Sequence, residues 1–216
     1  MAWFGRKVYD RNHLLDQATQ AMRRRRRKRA IAIYREILAV DPNDLQVHRK
    51  IAPLLAQTKQ REEAWESYRR AGAQLGRQGF TDQAIGVYRE ACGHLPREHR
   101  LWLALADLEV ERGRPIDAVN ALVAGSRQLR SRRTLQEAVA LLQRARKIQP
   151  HAFDPGFELA GLLARHGGRD HARRLLLELA PRVRGRQLRR LRGRLFFLSP
   201  TPAAAWRWLA AAVARA

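Results

Sequence analysis

Apolar residues along most of this chain recur three and four positions apart, which is the spacing of one face of an α-helix. Glycine, proline and asparagine signals such as Asp41-Pro42-Asn43-Asp44 interrupt the pattern at short intervals, and each signal predicts the end of a helix. Because the connections are short, neighbouring helices should form antiparallel hairpins. The predicted helices span residues 11–24, 28–40, 44–57, 61–78, 81–93, 98–112, 115–130, 134–147, 153–166 and 169–180, followed by a basic helix near 183–196 and a final short helix near 203–215.

Six alanines recur along the chain at alternating intervals of 34 and 20 residues, and a large apolar or aromatic residue follows each of them four positions later. A fixed period of this size predicts a stack of repeated helical units. Small side chains let helix axes approach closely, and the large residues of a neighbouring helix fill the groove. The alanines are Ala30, Ala64, Ala84, Ala118, Ala138 and Ala172, and the large residues are Tyr34, Tyr68, Tyr88, Leu122, Leu142 and Leu176.

An alanine, an aromatic residue four positions on and a proline beyond the helix together resemble the second helix of a tetratricopeptide repeat. The residues that carry this likeness are Ala30, Tyr34 and Asp41-Pro42-Asn43, and again Ala84, Tyr88 and Pro96. The first helix of the repeat is best matched at Trp102, Leu105 and Ala106, where Ala106 replaces the usual glycine and Glu109 replaces a common tyrosine. The resemblance covers about residues 11–181. The 20-residue steps depart from the family pattern and predict helices that serve two repeat units at once.

This resemblance implies an all-α fold, a TPR-like α-solenoid of about ten antiparallel helices with basic C-terminal capping helices. It divides the chain into an N-terminal cap (residues 1–10), a helical repeat domain (11–181) and a basic C-terminal helix with a Trp-containing tail (182–216). It also implies a non-catalytic scaffold that binds other proteins through a concave face lined by the first helix of each pair. Trp3 and Phe4 are expected to cover the N-terminal end of the array.

The charge of the chain changes the picture of its partner. Lysine and arginine number 43 against 20 acids, so the net charge is +23. Only five of these cations are lysine, which fits a GC-rich genome, but that bias does not explain the scarcity of acids. The balance therefore predicts an anionic partner.

Placing the family's concave face on this sequence predicts a set of partner-binding arginines. Paired guanidinium donors suit carboxylates, so the resemblance implies an acidic protein or peptide as the partner. A merely solvated arginine face is the alternative. The carboxylate clamp of chaperone-binding members is excluded because its asparagine positions correspond to Thr19, Pro53, Asp107 and Gly161. The predicted binding residues are Arg23, Arg49, Arg69, Arg77, Arg100, Arg127, Arg130 and Arg165.

Two basic runs offer a second interpretation. Residues 23–29 are seven consecutive cations, and residues 182–194 hold seven arginines beside Leu188, Leu191 and Leu195 at helical spacing. The second run predicts an amphipathic cap on the last repeat, with binding of nucleic-acid phosphates or anionic lipid as the alternative. Electrostatic binding of nucleic acid is the alternative function for both runs together. The tail with Trp206 and Trp208 is expected to fold back over the end of the array, and a membrane surface is disfavoured.

No reactive constellation is visible in the sequence. The seven histidines lack a metal-ligand pattern, no glycine-rich phosphate loop occurs, and Cys92 lies on an apolar helix face where it acts as a small core residue. We therefore expect no catalytic residue, no cofactor and no metal site. The lone cysteine and the absence of an apolar run of signal-peptide length at the N-terminus predict a cytoplasmic protein.

Overall fold

A computed structural model describes residues 9–129, 131–200 and 202–213 of the chain. All regular secondary structure within these ranges is helical, so the all-α fold predicted from the sequence is confirmed. The chain divides into two compact units, Met1–Leu95 (unit one) and Pro96–Ala216 (unit two). The predicted cap at residues 1–10, with Trp3 and Phe4, lies outside the described residues except for its last two positions.

Unit one is a succession of helices joined by short turns. Neighbouring helices pack pairwise, and the fourth helix packs against both the third and the fifth, as the 20-residue step predicts. The helices are α1 (Arg11–Arg23), α2 (Arg27–Val40), α3 (Leu45–Gln57), α4 (Arg61–Arg77) and α5 (Thr81–His94).

Unit two is also a succession of helices that pack pairwise. Its second helix packs against both its first and its third, and its last two helices form a hairpin. The helices are α6 (His99–Glu111), α7 (Pro115–Gln128), α8 (Leu135–Ile148), α9 (Phe153–Arg165), α10 (Arg169–Leu179), α11 (Gly185–Leu198) and α12 (Pro202–Val213), with 3₁₀ turns at Arg132–Thr134 and Ala180–Arg182.

Local chemistry sets the helix ends. Asp44 caps α3 by accepting a hydrogen bond from the Val47 N–H at 3.0 Å. Gly79 ends α4 in the left-handed region with φ +81°, a conformation that glycine adopts without a steric penalty from a Cβ. The next amide, that of Phe80, then donates back to the Leu75 carbonyl at 2.9 Å.

The periodic small residues lie where helices pack most closely. All six periodic alanines have no exposed surface, and the large residues four positions on are also buried. Within unit one the Tyr88 ring lies against the backbone of Gly72, and within unit two the Trp102 ring lies against Gly125. The predicted close packing of small residues against large neighbours is therefore confirmed within each unit.

Helix α11 is fixed to the last repeat by two arginines. The Arg194 guanidinium lies 3.7 Å from the Phe157 ring centre, and Arg190 lies 4.7 Å from the same ring. Arg194 Nη1 also donates a hydrogen bond to the Phe157 carbonyl at 2.6 Å. Burial lowers the pKa of Arg194, although Glu158 nearby opposes that effect. Leu191 is fully buried, so the leucine face of the basic helix packs inward as predicted.

Candidate functional site

Unit one contains an open groove of about 780 Å³. Residues of α1, α3, α4 and α5 line it together with the turn before α3. We call this cavity the α3 groove. Its cations are Arg11, Arg49 and Lys50, its amides are Asn43, Gln46 and Gln74, and its acids are Asp41, Asp44 and Glu90; Leu45 completes the lining.

One wall of the α3 groove is fixed by internal hydrogen bonds. Arg11 Nε donates to Asp44 Oδ2 at 2.6 Å, and Arg11 Nη2 donates to Gln46 Oε1 at 3.0 Å. Burial is the largest single effect on Asp44 and favours its neutral form, but the hydrogen bonds from Arg11 and from the Val47 N–H outweigh it and lower the pKa of that carboxyl. Asp44 is therefore a structural anion that joins α1 to α3.

Arg49 and Lys50, on the next turn of α3, differ from Arg11 because their donors have no partner within the described stretches of the chain. Both side chains are exposed, and neither forms an ion pair or hydrogen bond with any residue in the described ranges. Glu90, by contrast, accepts a hydrogen bond from the Tyr68 hydroxyl at 3.2 Å and lies 3.8 Å from His94 Nδ1. The two cations of the groove that lack a described partner thus both lie on α3.

Only Arg49 among the predicted binding arginines lines this groove. Arg23 and Arg77 are exposed at the ends of α1 and α4. Arg69 binds Glu66 through two hydrogen bonds of 2.7 and 2.8 Å. The Arg69 bond is the main cause that lowers the pKa of Glu66 to about 2. Arg70 Nε also donates to Glu66, at 2.8 Å, so this one carboxylate offsets part of the charge of both arginines within α4.

The predicted arginines of unit two are also largely committed to neighbours. Arg100 binds both carboxylate oxygens of Glu98, at 2.6 and 2.9 Å. Arg127 donates to Glu158 Oε1 at 2.8 Å. Arg165 lines the same small cleft as Arg127 and Glu158, and its Nε donates to a backbone carbonyl at 3.2 Å. Arg130 lies outside the described residues.

Sequence reasoning missed the polar neighbours of Arg49 in the groove. Lys50 and Gln46 are four positions apart on α3, so they share a face of that helix with Arg49. Asn43 lies in the turn that begins α3, and Gln74 comes from α4. The helical spacing of Gln46, Arg49 and Lys50 was a usable signal, but the contribution of Gln74 depends on tertiary packing.

The basic run at residues 23–29 forms a separate surface in unit one. It covers the end of α1, the turn and the first residues of α2, and every member is exposed. None of them forms an ion pair with a residue that the structure describes. Helix α2 begins without a side-chain cap and without an acid in its first turn. Cations at the positive end of a helix dipole are unfavourable, so the members in the first turn of α2 destabilise that helix, whereas Arg23 in the last turn of α1 is favourably placed.

Cys92 is the only cysteine in the sequence. Cys92 is buried, and burial raises the pKa of its thiol to about 12. Within the described residues, no group of three or more histidine, cysteine or acidic side chains is arranged to hold a metal ion. The described helices also include none with the length and apolar character needed to cross a bilayer.

Comparison with known proteins gives structural likenesses. No protein-family model and no curated protein sequence matches the chain. PilW, a widely conserved type IV pilus biogenesis factor, is 20% identical over 94% of this chain and 92% of its own, with a TM-score of 0.43. A tetratricopeptide repeat protein from Parabacteroides merdae is 12% identical over 93% and 91%, with a TM-score of 0.36. PilF from Pseudomonas aeruginosa is 17% identical over 93% and 88%, with a TM-score of 0.30.

At these identities and TM-scores the likeness carries no statement about a partner or an activity. The assignment rests instead on this chain's own helix order and on its buried alanines with a large residue four positions on. Helices α4 and α7 each pack against two neighbours, which accounts for the 20-residue steps. By these features the chain is an all-α helical-repeat protein, and its repeat units resemble the tetratricopeptide repeat.

Proposed function

We propose that this protein is a non-catalytic scaffold that binds an acidic protein segment in the α3 groove. The observation that carries the proposal is the pair of uncommitted cations, Arg49 and Lys50, on the exposed side of an open groove. Their charges are available to a partner, whereas Arg69, Arg100 and Arg127 already bind carboxylates of this chain.

The groove combines the groups that an extended peptide needs. Amide side chains such as Gln46 and Gln74 can pair with the peptide's backbone groups, and Arg49 can bind a carboxylate through two parallel donors. Asp41 and Glu90 repel a partner that is acidic along its whole length. The preferred ligand is therefore a segment in which acidic and neutral or basic residues alternate.

Reversing both uncommitted charges should abolish partner capture. The double variant Arg49→Glu and Lys50→Glu removes two charge-assisted interactions of about 1.5–3 kcal/mol each and adds repulsion, so we expect at least a tenfold loss of affinity. The measurement is affinity purification from the native cell, with and without nuclease and at two salt concentrations. Proteins captured under both nuclease conditions are then purified and titrated against wild type and variant.

A matched control has the same change in net charge outside the groove. Lys59 and Arg61 lie at the turn between α3 and α4, are exposed and do not line the α3 groove. The variant Lys59→Glu and Arg61→Glu should bind the purified partner as wild type does, and both variants should keep the wild-type circular dichroism spectrum. Equal affinity of the folded groove variant and wild type would contradict the groove as the binding site.

A second candidate function is non-specific binding of nucleic-acid phosphates by the basic run at residues 23–29. The observation that favours it is the full exposure of seven cations that have no ion-pair partner in the described part of the chain. Each phosphate that a protein neutralises releases condensed counterions, so affinity falls with salt.

Neutralising part of this run should flatten the salt dependence. With Arg24, Arg26 and Lys28 changed to Gln, we expect the slope of log affinity against log salt concentration to fall by about 3. Arg97, Arg132 and Arg133 are exposed in unit two, and their change to Gln gives a control of equal charge. Fluorescence anisotropy with a labelled duplex measures both slopes. Absence of binding at about 50 mM salt, or an unchanged slope in the run variant, would rule this function out.

A further inference from the structure

A small basic cleft lies at the C-terminal end of unit two. It is formed between α10, α11 and α12 and has a volume of about 130 Å³. Each of the three helices contributes one arginine, and aliphatic side chains lie between them. We call it the C-terminal cleft; the residues that carry the argument are Arg173, Arg192, Arg207, Leu177, Leu195 and Ala203.

No acid balances the charge of the C-terminal cleft. None of its lining residues is acidic, and the sequence from residue 179 to its end holds nine arginines without an aspartate or glutamate. The last acid, Glu178 on α10, lies 3.6 Å from Arg146 on α8 and is thus opposed by another cation. Arg173 and Arg207 have no ion-pair partner among the residues that the structure describes. The cleft is therefore a site of uncompensated positive charge.

The cleft is held in shape by a bond between its two last helices. Arg192 Nη1 donates a hydrogen bond to the Arg207 carbonyl at 3.1 Å. This bond joins α11 to α12 and leaves the guanidinium groups of Arg173 and Arg207 to bind an anion. Three guanidinium groups around one cavity suit a phosphate better than a single carboxylate because a phosphate offers more acceptor oxygens.

Exposed apolar side chains accompany this charge. Leu177 in the cleft is 48% exposed, and two aromatic residues of the same helical hairpin, Phe197 and Trp206, are 77% and 73% exposed. Helix α12 packs on α11, and its Trp206 side chain stays in solvent. Aromatic residues beside arginines in a short amphipathic hairpin fit the interface of a membrane with anionic lipids.

We propose that the α11–α12 hairpin docks on an anionic lipid bilayer, with a lipid headgroup phosphate in the C-terminal cleft. Leu177, Leu195 and Ala203 then contact the glycerol and upper acyl region, while Phe197 and Trp206 enter the interfacial layer. The cleft lining is aliphatic and holds no ring on which a nucleic-acid base could stack, which favours lipid there. Stacking of a base on Phe197 or Trp206 outside the cleft is an outcome that the oligonucleotide measurement below detects. The proposal concerns unit two and is independent of peptide binding in the α3 groove.

Vesicle sedimentation of the full chain tests this docking. Wild type should sediment with vesicles of phosphatidylcholine mixed with phosphatidylglycerol and stay in solution with phosphatidylcholine alone. Changing Arg173 and Arg207 to Gln should weaken binding to the mixed vesicles by about 25-fold, since each cation near an anionic surface contributes about a factor of five. The variant Trp206→Ala should also weaken binding, and Arg97→Gln with Arg133→Gln should leave it unchanged.

Further measurements distinguish binding of lipid from binding of other molecules that carry phosphate. Titration with inorganic phosphate should give much weaker binding than the mixed vesicles, because only lipid engages the exposed aromatic side chains. Wild-type affinity of the Arg173 and Arg207 variant for mixed vesicles would overturn the cleft as the phosphate site. Equal sedimentation with both vesicle types, no sedimentation with either, or a loss of oligonucleotide rather than vesicle binding in that variant would overturn the lipid proposal.

Discussion

A protein carrying Gly72→Ala is expected to be about 1–3 kcal/mol less stable than wild type, because overpacking forces neighbouring side chains to move. A methyl group at position 72 would overlap the ring of Tyr88. That ring is buried, and its hydroxyl lies 3.4 Å from the Arg69 carbonyl, so it has little room to yield. The loss should appear in chemical denaturation followed by circular dichroism.

The same substitution one turn along α4 provides the control. A methyl group at Gly76 would meet no atom within 4 Å. Alanine also has a higher helix propensity than glycine, so Gly76→Ala should stabilise the protein by about 0.5–1 kcal/mol. Both variants add one methyl group to α4, which meets the Tyr88 ring at position 72 and open space at position 76. Their effects on the free energy of unfolding should therefore have opposite signs. Stabilisation by Gly72→Ala would show that the close approach of α4 to α5 is not set by this glycine.

Replacing Arg194 with alanine should destabilise unit two by about 1.5–3 kcal/mol, the range for a hydrogen bond to a charged group. The substitution removes the 2.6 Å bond from Nη1 to the Phe157 carbonyl and the cation–π contact with the Phe157 ring. It also removes the guanidinium that packs against Gly161. A charge-assisted hydrogen bond and a half-buried cation–π contact are lost together, which is why the cost exceeds that of an ordinary surface change.

Arg186 on the same helix provides the control for the Arg194 variant. Its side chain is exposed and has no partner within the described residues, so Arg186→Ala should change the free energy of unfolding by no more than about 0.5 kcal/mol. Hydrogen exchange of α11 amides should accelerate in the Arg194 variant and remain unchanged in the Arg186 variant. Equal exchange in both variants would mean that the leucines alone hold this helix in place.

The helices could be predicted because their signals are local. Apolar spacing and turn residues predict nearly every boundary within a few residues, and Asp44, directly before α3, caps that helix. Thr134 and Glu137 have the three-residue spacing of a capping box, which predicts a cap at the start of α8, but this prediction is wrong. Ser131 accepts the Thr134 N–H instead, at 3.3 Å, because a 3₁₀ turn precedes α8, and the Thr134 side chain makes no capping bond.

The binding site was harder to predict because it depends on which arginines already have partners. The bond between Arg127 and Glu158 joins residues that are 31 positions apart, and only packing of α7 near α9 reveals it. Arg100 takes its partner from Glu98, two positions back, where helical spacing gives no guidance. The sequence correctly indicates where the cations lie, but their availability to a partner is a property of tertiary structure.

The most direct test of a scaffold that binds through the α3 groove is a footprint of the bound partner. Hydroxyl-radical footprinting of this protein, with and without the purified protein partner, reports which side chains become protected. If the partner binds in the α3 groove, Leu45 on α3 should be protected, and the exposed side chains of Phe80 and Ile116 outside the groove should react as in the free protein. Protection of other side chains, with Leu45 as reactive as in the free protein, would contradict binding in this groove.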